Sequence, residues 1–242
     1  MSIVVVTGTN TDVGKTIVTA AVATLAATRG SSVAVVKPAQ TGVTPEGPGD
    51  LATVRQLAGV TDLHEYVRYP DPLSPAAAAR RSGIAPLDFD DTVRRIQDLA
   101  DNRRLVLVEG AGGLLVRNDE DGSTLADLAH ALKAPLLLVA HPSLGTLNIA
   151  ALTLEAMAAR GLDLAGIVLG SWPATPDLAM RSNIRDLETI GARPLAGALP
   201  EGAGRLDPAD FLLAARAGLA PAFGGTFDPA EFRQTWDPRK AA

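Results

Sequence analysis

The chain has 242 residues, a formal net charge of −5 and no cysteine, which excludes disulfides, thiol nucleophiles, iron–sulfur clusters and thiolate zinc sites. The negative balance argues against a general nucleic-acid or anionic-membrane surface, though not against a local cationic pocket. Hydrophobic residues make up 47% of the chain and aromatic ones only 4%, so Ala, Val and Leu must build most of the core. No apolar run approaches the roughly 18 residues of a membrane span. The first residues lack the basic segment of a secretory signal, so no leader is expected.

In chain order, apolar runs at 3–6, 33–36, 105–108, 135–140, 164–169 and 194–199 read as strands buried on both faces. Helical patterns lie between them, near 15–29, 50–58, 75–82, 88–101, 124–132, 146–160, 177–190 and 208–217. Gly30, Gly161 and Gly191 stand where glycines end helices. The Pro/Gly-rich stretch 42–49 reads as a mobile surface loop. Residues 1–220 are expected to form one domain, and 221–242, with Phe227, Phe232 and Trp236, a weakly patterned tail that packs loosely or stays disordered. This alternation of strands and helices implies an α/β fold whose mainly parallel sheet carries helices on both faces.

Ligands of such sheets bind beyond the carboxyl ends of the strands. The loops there are polar or glycine-rich: 7–16, 37–42, 109–113, 170–173 and 200–202. The first is the most specific. Gly8-Thr9-Asn10-Thr11-Asp12-Val13-Gly14-Lys15-Thr16 places glycines where backbone N–H groups can converge on phosphate oxygens at a helix N-terminus, and so reads as a P-loop of an NTPase-like fold. Lys15 would reach the β- and γ-phosphates and the Thr16 hydroxyl would ligate Mg²⁺. Asp12, Val13, Gly14 and Ile17 complete the stretch expected to line the nucleotide. Five residues separate Gly8 from Gly14, where the standard loop has about four.

Glu109 precedes Gly110-Ala111-Gly112-Gly113. It reads either as an exposed strand-end acid or as a Mg²⁺ ligand, and the flanking glycines, which allow close backbone approach, favour the second. Asp50 opens a helix and alone is an ordinary N-cap. Lys37, at the end of the second strand, either snorkels to solvent or joins Lys15 in stabilising transferring phosphoryl charge. His64, His130 and His141 have no ligand-like spacing, and Trp172 and Trp236 read as packing groups.

Four motifs together closely resemble the ATP-dependent dethiobiotin synthetase family. They are the loop 8–16, Lys37-Pro38-Ala39-Gln40-Thr41-Gly42, Val108-Glu109-Gly110-Ala111-Gly112-Gly113, and Leu144-Gly145-Thr146-Leu147-Asn148. The resemblance spans about residues 3–217 and includes the long P-loop spacing; Asn10 stands where the similar ParA/MinD branch carries a signature lysine. The absence of Cys disfavours a glutamine-dependent synthetase, while a P-loop switch ATPase is the remaining alternative class.

The resemblance implies carboxylation of 7,8-diaminononanoate with CO₂ and ATP, then closure of a ureido ring through a carbamoyl-phosphate-type mixed anhydride, releasing ADP and phosphate. It implies Lys37 and Lys15 as catalytic residues, and Thr16, Asp50 and Glu109 as Mg²⁺ ligands. Thr11, Thr41, Gly145, Thr146, Leu147 and Asn148 would contact substrate, the last four from the neighbouring subunit of a cytoplasmic homodimer with a shared active site. Gly110, Ala111, Gly112, Gly170, Ser171, Pro200, Glu201 and Gly202 would line the nucleotide. Many relatives carry Asn where this chain has Gly170, so other nucleoside triphosphates besides ATP are expected to serve. Asp12 stands where relatives often have Glu.

Overall fold

The computed structural model describes residues 3–239; Met1, Ser2 and residues 240–242, the last of the predicted tail, lie outside the described residues. β1 (Ile3–Gly8) and α1 (Lys15–Thr28) flank the P-loop, followed by β2 (Val33–Thr41), α2 (Asp50–Ala58), β3 (Leu63–Tyr69), α3 (Pro75–Ser82) and α4 (Phe89–Asn102). Then come β4 (Leu105–Gly113), α5 (Leu125–Ala131), β5 (Leu136–Ala140), α6 (Thr146–Ala158), β6 (Leu164–Trp172) and α7 (Leu178–Ile190). β7 (Gly197–Pro200), α8 (Pro208–Gly218) and α9 (Pro229–Thr235) end the described chain.

The seven strands form one sheet in the order β3-β2-β4-β1-β5-β6-β7, with every strand pair parallel. All carboxyl ends therefore share one edge. β1 and β5 are buried at every residue, as expected of central strands covered on both faces. One face packs Val18, Leu25, Leu51, Val54, Phe211 and Ala215 from α1, α2 and α8. The other packs Ile96, Leu128, Met157, Ile184 and Leu187 from α4 to α7. Each fully buried Val, Leu, Ile, Phe or Met among them contributes about 1.5–3 kcal/mol of transfer free energy. Aspartates accept first-turn N–H groups at the starts of α4, α7, α8 and α9, and Thr124 with Asp127 forms a capping box for α5.

The sequence reading and the structure differ at three places. β3 was not foreseen. It is an edge strand, half-buried along most of its length, and its sequence Leu-His-Glu-Tyr-Val-Arg-Tyr lacks the apolar run of a central strand because charges protect an edge. The 42–49 loop, read as mobile from its composition, is tied down by Arg68, whose Nη1 donates to the carbonyls of Thr44, Pro45 and Gly47 at 3.0, 3.2 and 2.6 Å. The segment after 220, expected to be loose, carries α9 and joins the core: Phe227, Phe232 and Trp236 pack with Trp172, Ile184 and Leu187. Among the described residues no helix is long and apolar enough to cross a membrane.

Candidate active site at the carboxyl edge of the sheet

Because β4 lies between β2 and β1, the ends of these three strands bring the P-loop, Lys37 and Glu109 together. Gly14 sits at φ +95°, in the left-handed region that glycine enters without strain. A Cβ there would also stand 2.6 Å from the carbonyl oxygen of Gly170. Asp12 takes φ +58°, and the turn points its exposed side chain outward. Lys15 is folded over the loop, its Nζ donating to the Asn10 carbonyl at 2.9 Å.

Glu109 is completely buried. Its Oε1 accepts from the Thr16 hydroxyl at 2.8 Å and from Lys37 Nζ at 2.8 Å, whereas its Oε2 is buried with no hydrogen-bond partner. Lys37 Nζ also donates to the Gly110 carbonyl at 3.1 Å and lies 2.5 Å from Asp50 Oδ2. Asp50 is the first residue of α2 behind Gly49. Its side chain does not cap the helix but faces the lysine.

The two lysines are held in opposite ways. Burial alone would lower the Lys37 pKa, but Glu109 and Asp50 outweigh it and hold the ammonium above its ordinary value. Lys15 is pushed below its ordinary value, first by burial and then by the Lys37 charge, against smaller pulls from Glu109, Asp50 and Asp12. A further anion beside Lys15 would relieve that penalty.

The donor set suits Mg²⁺. A buried carboxylate oxygen without a partner, a second carboxylate and a threonine hydroxyl are hard oxygen ligands. Among the described residues no group of three or more His, Asp or Glu gathers as a self-sufficient metal cage.

The other residues expected at the site lie at strand ends and at the starts of α1 and α6. Thr11 is exposed and its hydroxyl lies against Gly112. Thr41 ends β2. Gly110 has no room for a side chain, since a Cβ would stand 2.3 Å from Leu125; Ala111 is half-buried beside it. Ile17 packs against Gly204, linking α1 to the turn after Pro200, Glu201 and Gly202. Gly145 and Asn148 are exposed at the start of α6, while Leu147 is half-buried and Thr146 is buried with its hydroxyl unpartnered.

Gly170 is buried, and a Cβ on it would stand 2.0 Å from the Val13 carbonyl oxygen. The P-loop backbone therefore lies on Gly170. With this backbone no asparagine fits there; the next residue, Ser171, is half-buried. His141 Nδ1 accepts from the Ser143 N–H at 3.3 Å and pairs with the Ser143 hydroxyl at 2.8 Å, a local turn contact.

Gln40 was not foreseen as part of the site. It is buried, and its Oε1 accepts the Asp50 N–H at 2.9 Å, which fixes the start of α2 against β2. Its signals in the sequence were its place in the 37–42 motif and an amide between Ala39 and Thr41 where a buried strand is ending. A cavity of about 420 Å³ lined by His64, Tyr66, Arg95 and Arg103 lies along β3 and α4 and holds none of these groups.

The family model described as "AAA domain" matches residues 3–205. The chain is 62% identical over 237 residues to the ATP-dependent dethiobiotin synthetase BioD of Frankia casuarinae, covering 98% of this chain and 100% of that protein. It is also 62% identical over 236 residues to the protein of the same name from Parafrankia sp., covering 98% and 99%. Among solved structures, the MinC:MinD cell division protein complex of Aquifex aeolicus matches with a TM-score of 0.56 at 14% identity, covering 89% of this chain and 93% of that one. This last likeness is one of fold.

Proposed function

The chain belongs to the AAA-domain family and, within it, to the ATP-dependent dethiobiotin synthetases; on that premise we propose that Lys15, Thr16, Lys37, Asp50 and Glu109 form its reaction centre. The enzyme carboxylates 7,8-diaminononanoate with CO₂ and closes the ureido ring at the expense of ATP, a step of biotin biosynthesis. The observation that carries the site assignment is the fully buried Glu109, with one oxygen shared by Thr16 and Lys37 and the other without a partner.

Thr16, Asp50 and Glu109 would hold Mg²⁺, which supplies charge neutralisation on the triphosphate. The P-loop N–H groups and the start of α1 orient the phosphates. An anionic carbamate and a γ-phosphate repel each other, and Lys15 and Lys37 offset that repulsion from two sides. The ion partners of Lys37 keep it charged and aimed before substrate arrives. Thr11, Asp12 and Thr41 would orient the diamine. At the base end, Ser171 and the backbone of 170–171 and 200–202 would face the nucleobase. The lack of a reading amide at Gly170 supports use of other nucleoside triphosphates beside ATP.

The start of α6 supports a homodimer. Leu144, Ile149 and Leu152 are 84%, 37% and 57% exposed, a set of apolar groups at one helix end that a second copy would cover while Gly145, Thr146, Leu147 and Asn148 reach the neighbouring site. Residues 3–239 act as one unit in this reading, since the segment after 220 packs into the core. Partners are small molecules, with no nucleic acid or membrane among them, and dependence on ATP supports a cytoplasmic location. The test is phosphate release with Mg²⁺-ATP and bicarbonate, with and without 7,8-diaminononanoate. Release should depend on the diamine; turnover unchanged by it would defeat the assignment.

A further inference from the structure

β6 and β7 do not run in simple register at their carboxyl ends. Leu169 pairs with Ala198 and Trp172 with Pro200, so Gly170 and Ser171 on β6 face Leu199 alone on β7. This is a β-bulge, a device that re-aims groups beside a site. Its far side is closed by the Trp172 carbonyl, which accepts the Glu201 N–H at 2.8 Å and so joins the two base-side loops.

What fixes Trp172 is not polar. The residue is 7% exposed and its ring Nε1–H is buried without a partner. It is packed edge-on by Phe232 at 5.0 Å and Trp236 at 5.7 Å between centroids, and Phe227 backs Phe232 at 5.1 Å. Both ring partners of Trp172 come from the C-terminal segment. Arg233 of α9 also pairs with Glu188 Oε2 at 2.6 Å, and Glu188 Oε1 accepts the Leu195 N–H at 3.0 Å on the approach to β7. The terminal helix thus grips both strands whose ends carry residues 170–171 and 200–202.

From these contacts we infer that α9 is a positioning element for nucleobase selection: Phe232 and Trp236, by clamping Trp172, set the bulge and hence the backbone pattern offered to the base. The inference rests on the reading that the base lies over 170–171 and 200–202. Edge-to-face aromatic packing fixes ring orientation as well as position, so loosening it alters the bulge without touching Lys37 or Glu109.

The test uses the full-length enzyme and the variants Phe232→Ala, Trp236→Ala, their double variant and the conservative Trp236→Phe. For each, kcat and KM are measured with ATP, CTP and GTP, and inorganic tripolyphosphate is used as a base-free competitor. The alanine variants should shift the ATP:CTP or ATP:GTP ratio of kcat/KM by roughly three- to tenfold through KM. Saturating kcat and the tripolyphosphate inhibition constant should stay within about twofold. Trp236→Phe should keep the wild-type ratio and gives an answer even if the double variant fails to fold. A uniform loss across all nucleotides, or tripolyphosphate weakened as much as ATP, would overturn the proposal. Ser171→Leu is the reference for the base site. A ratio moved by Ser171→Leu but not by the α9 variants overturns this inference alone; a ratio moved by neither overturns the placement of the base as well.

Discussion

At the ends of β1, β2 and β4 the proposed site consists of charged side chains that hold one another in place. At the ends of β6 and β7 it consists of backbone, with aromatic rings behind it. Lys37, Asp50, Glu109 and Thr16 lie within hydrogen-bond or ion-pair distance of at least one other member of the set. At the base end Gly170 meets Val13 and Gly14 backbone to backbone, and Trp172 is located by ring packing. Buried charges must find partners, so the phosphate corner depends on the identity of a few residues. The base corner depends on shape, which many distant residues share.

The largest effect should therefore come from Lys37→Ala. Turnover should fall on the order of 10²- to 10³-fold while nucleotide binding by calorimetry persists. Removing one partner of a buried ion pair should also cost about 3–5 kcal/mol of stability, read by denaturant unfolding without Mg²⁺. Wild-type turnover would show that the two acids, not the lysine, organise this corner.

Next in size is Gln40→Leu. It touches neither phosphate nor the expected metal but leaves the Asp50 N–H without its acceptor. Mg²⁺ dependence should shift by roughly tenfold, with little change in diamine KM. If the apparent Mg²⁺ affinity is unmoved, Asp50 is held by Lys37 alone.

The same contrast decides what is legible in the sequence. The loop 8–16, Lys37 and Glu109 announce themselves because polar residues directly after apolar runs have a chemical reason to be there. Among the described residues, six of the seven strands and eight of the nine α-helices were legible from apolar periodicity. β3 was not, because an edge strand carrying Glu65 and Arg68 has no apolar signature. α9 was not, because Phe232 and Trp236 are isolated aromatics whose partner Trp172 is far away in sequence. Gln40 escaped because a buried amide shows its purpose only when its acceptor meets a particular N–H. Gly170 looked like a missing side chain; the structure makes it a contact surface for the P-loop.

Gly170→Ala probes that contact directly. Its methyl group would stand 2.0 Å from the Val13 carbonyl oxygen, so the strand end or the P-loop must move. We expect about 1–3 kcal/mol of destabilisation with KM rising for every nucleotide in parallel, since in the proposed placement phosphates and base share this seam. A stable variant with only its base preference changed would mean that the two corners are mechanically separate.

Arg233→Ala should give the smallest effect, and it makes the comparison quantitative. The Arg233–Glu188 and Lys37–Glu109 pairs have similar separations, 2.6 and 2.8 Å, but side-chain exposures of 33% and 11% against 4% and 0%. Water and counterions reach the first pair and not the second. Solvent-accessible pairs contribute about 0.2–1 kcal/mol, and at roughly 1 M salt the screening length contracts to about 3 Å. The unfolding midpoint of Arg233→Ala should therefore lie slightly below wild type in dilute buffer and converge on it in concentrated NaCl. Most of the Lys37→Ala deficit should persist under the same titration, because its fully buried partner Glu109 lies beyond the reach of the salt, and only the share owed to the part-exposed Asp50 should be screened. A salt-independent deficit in Arg233→Ala would show that the guanidinium acts by packing α9 onto α7, and the contrast between a charge-built and a shape-built corner would then be sharper still.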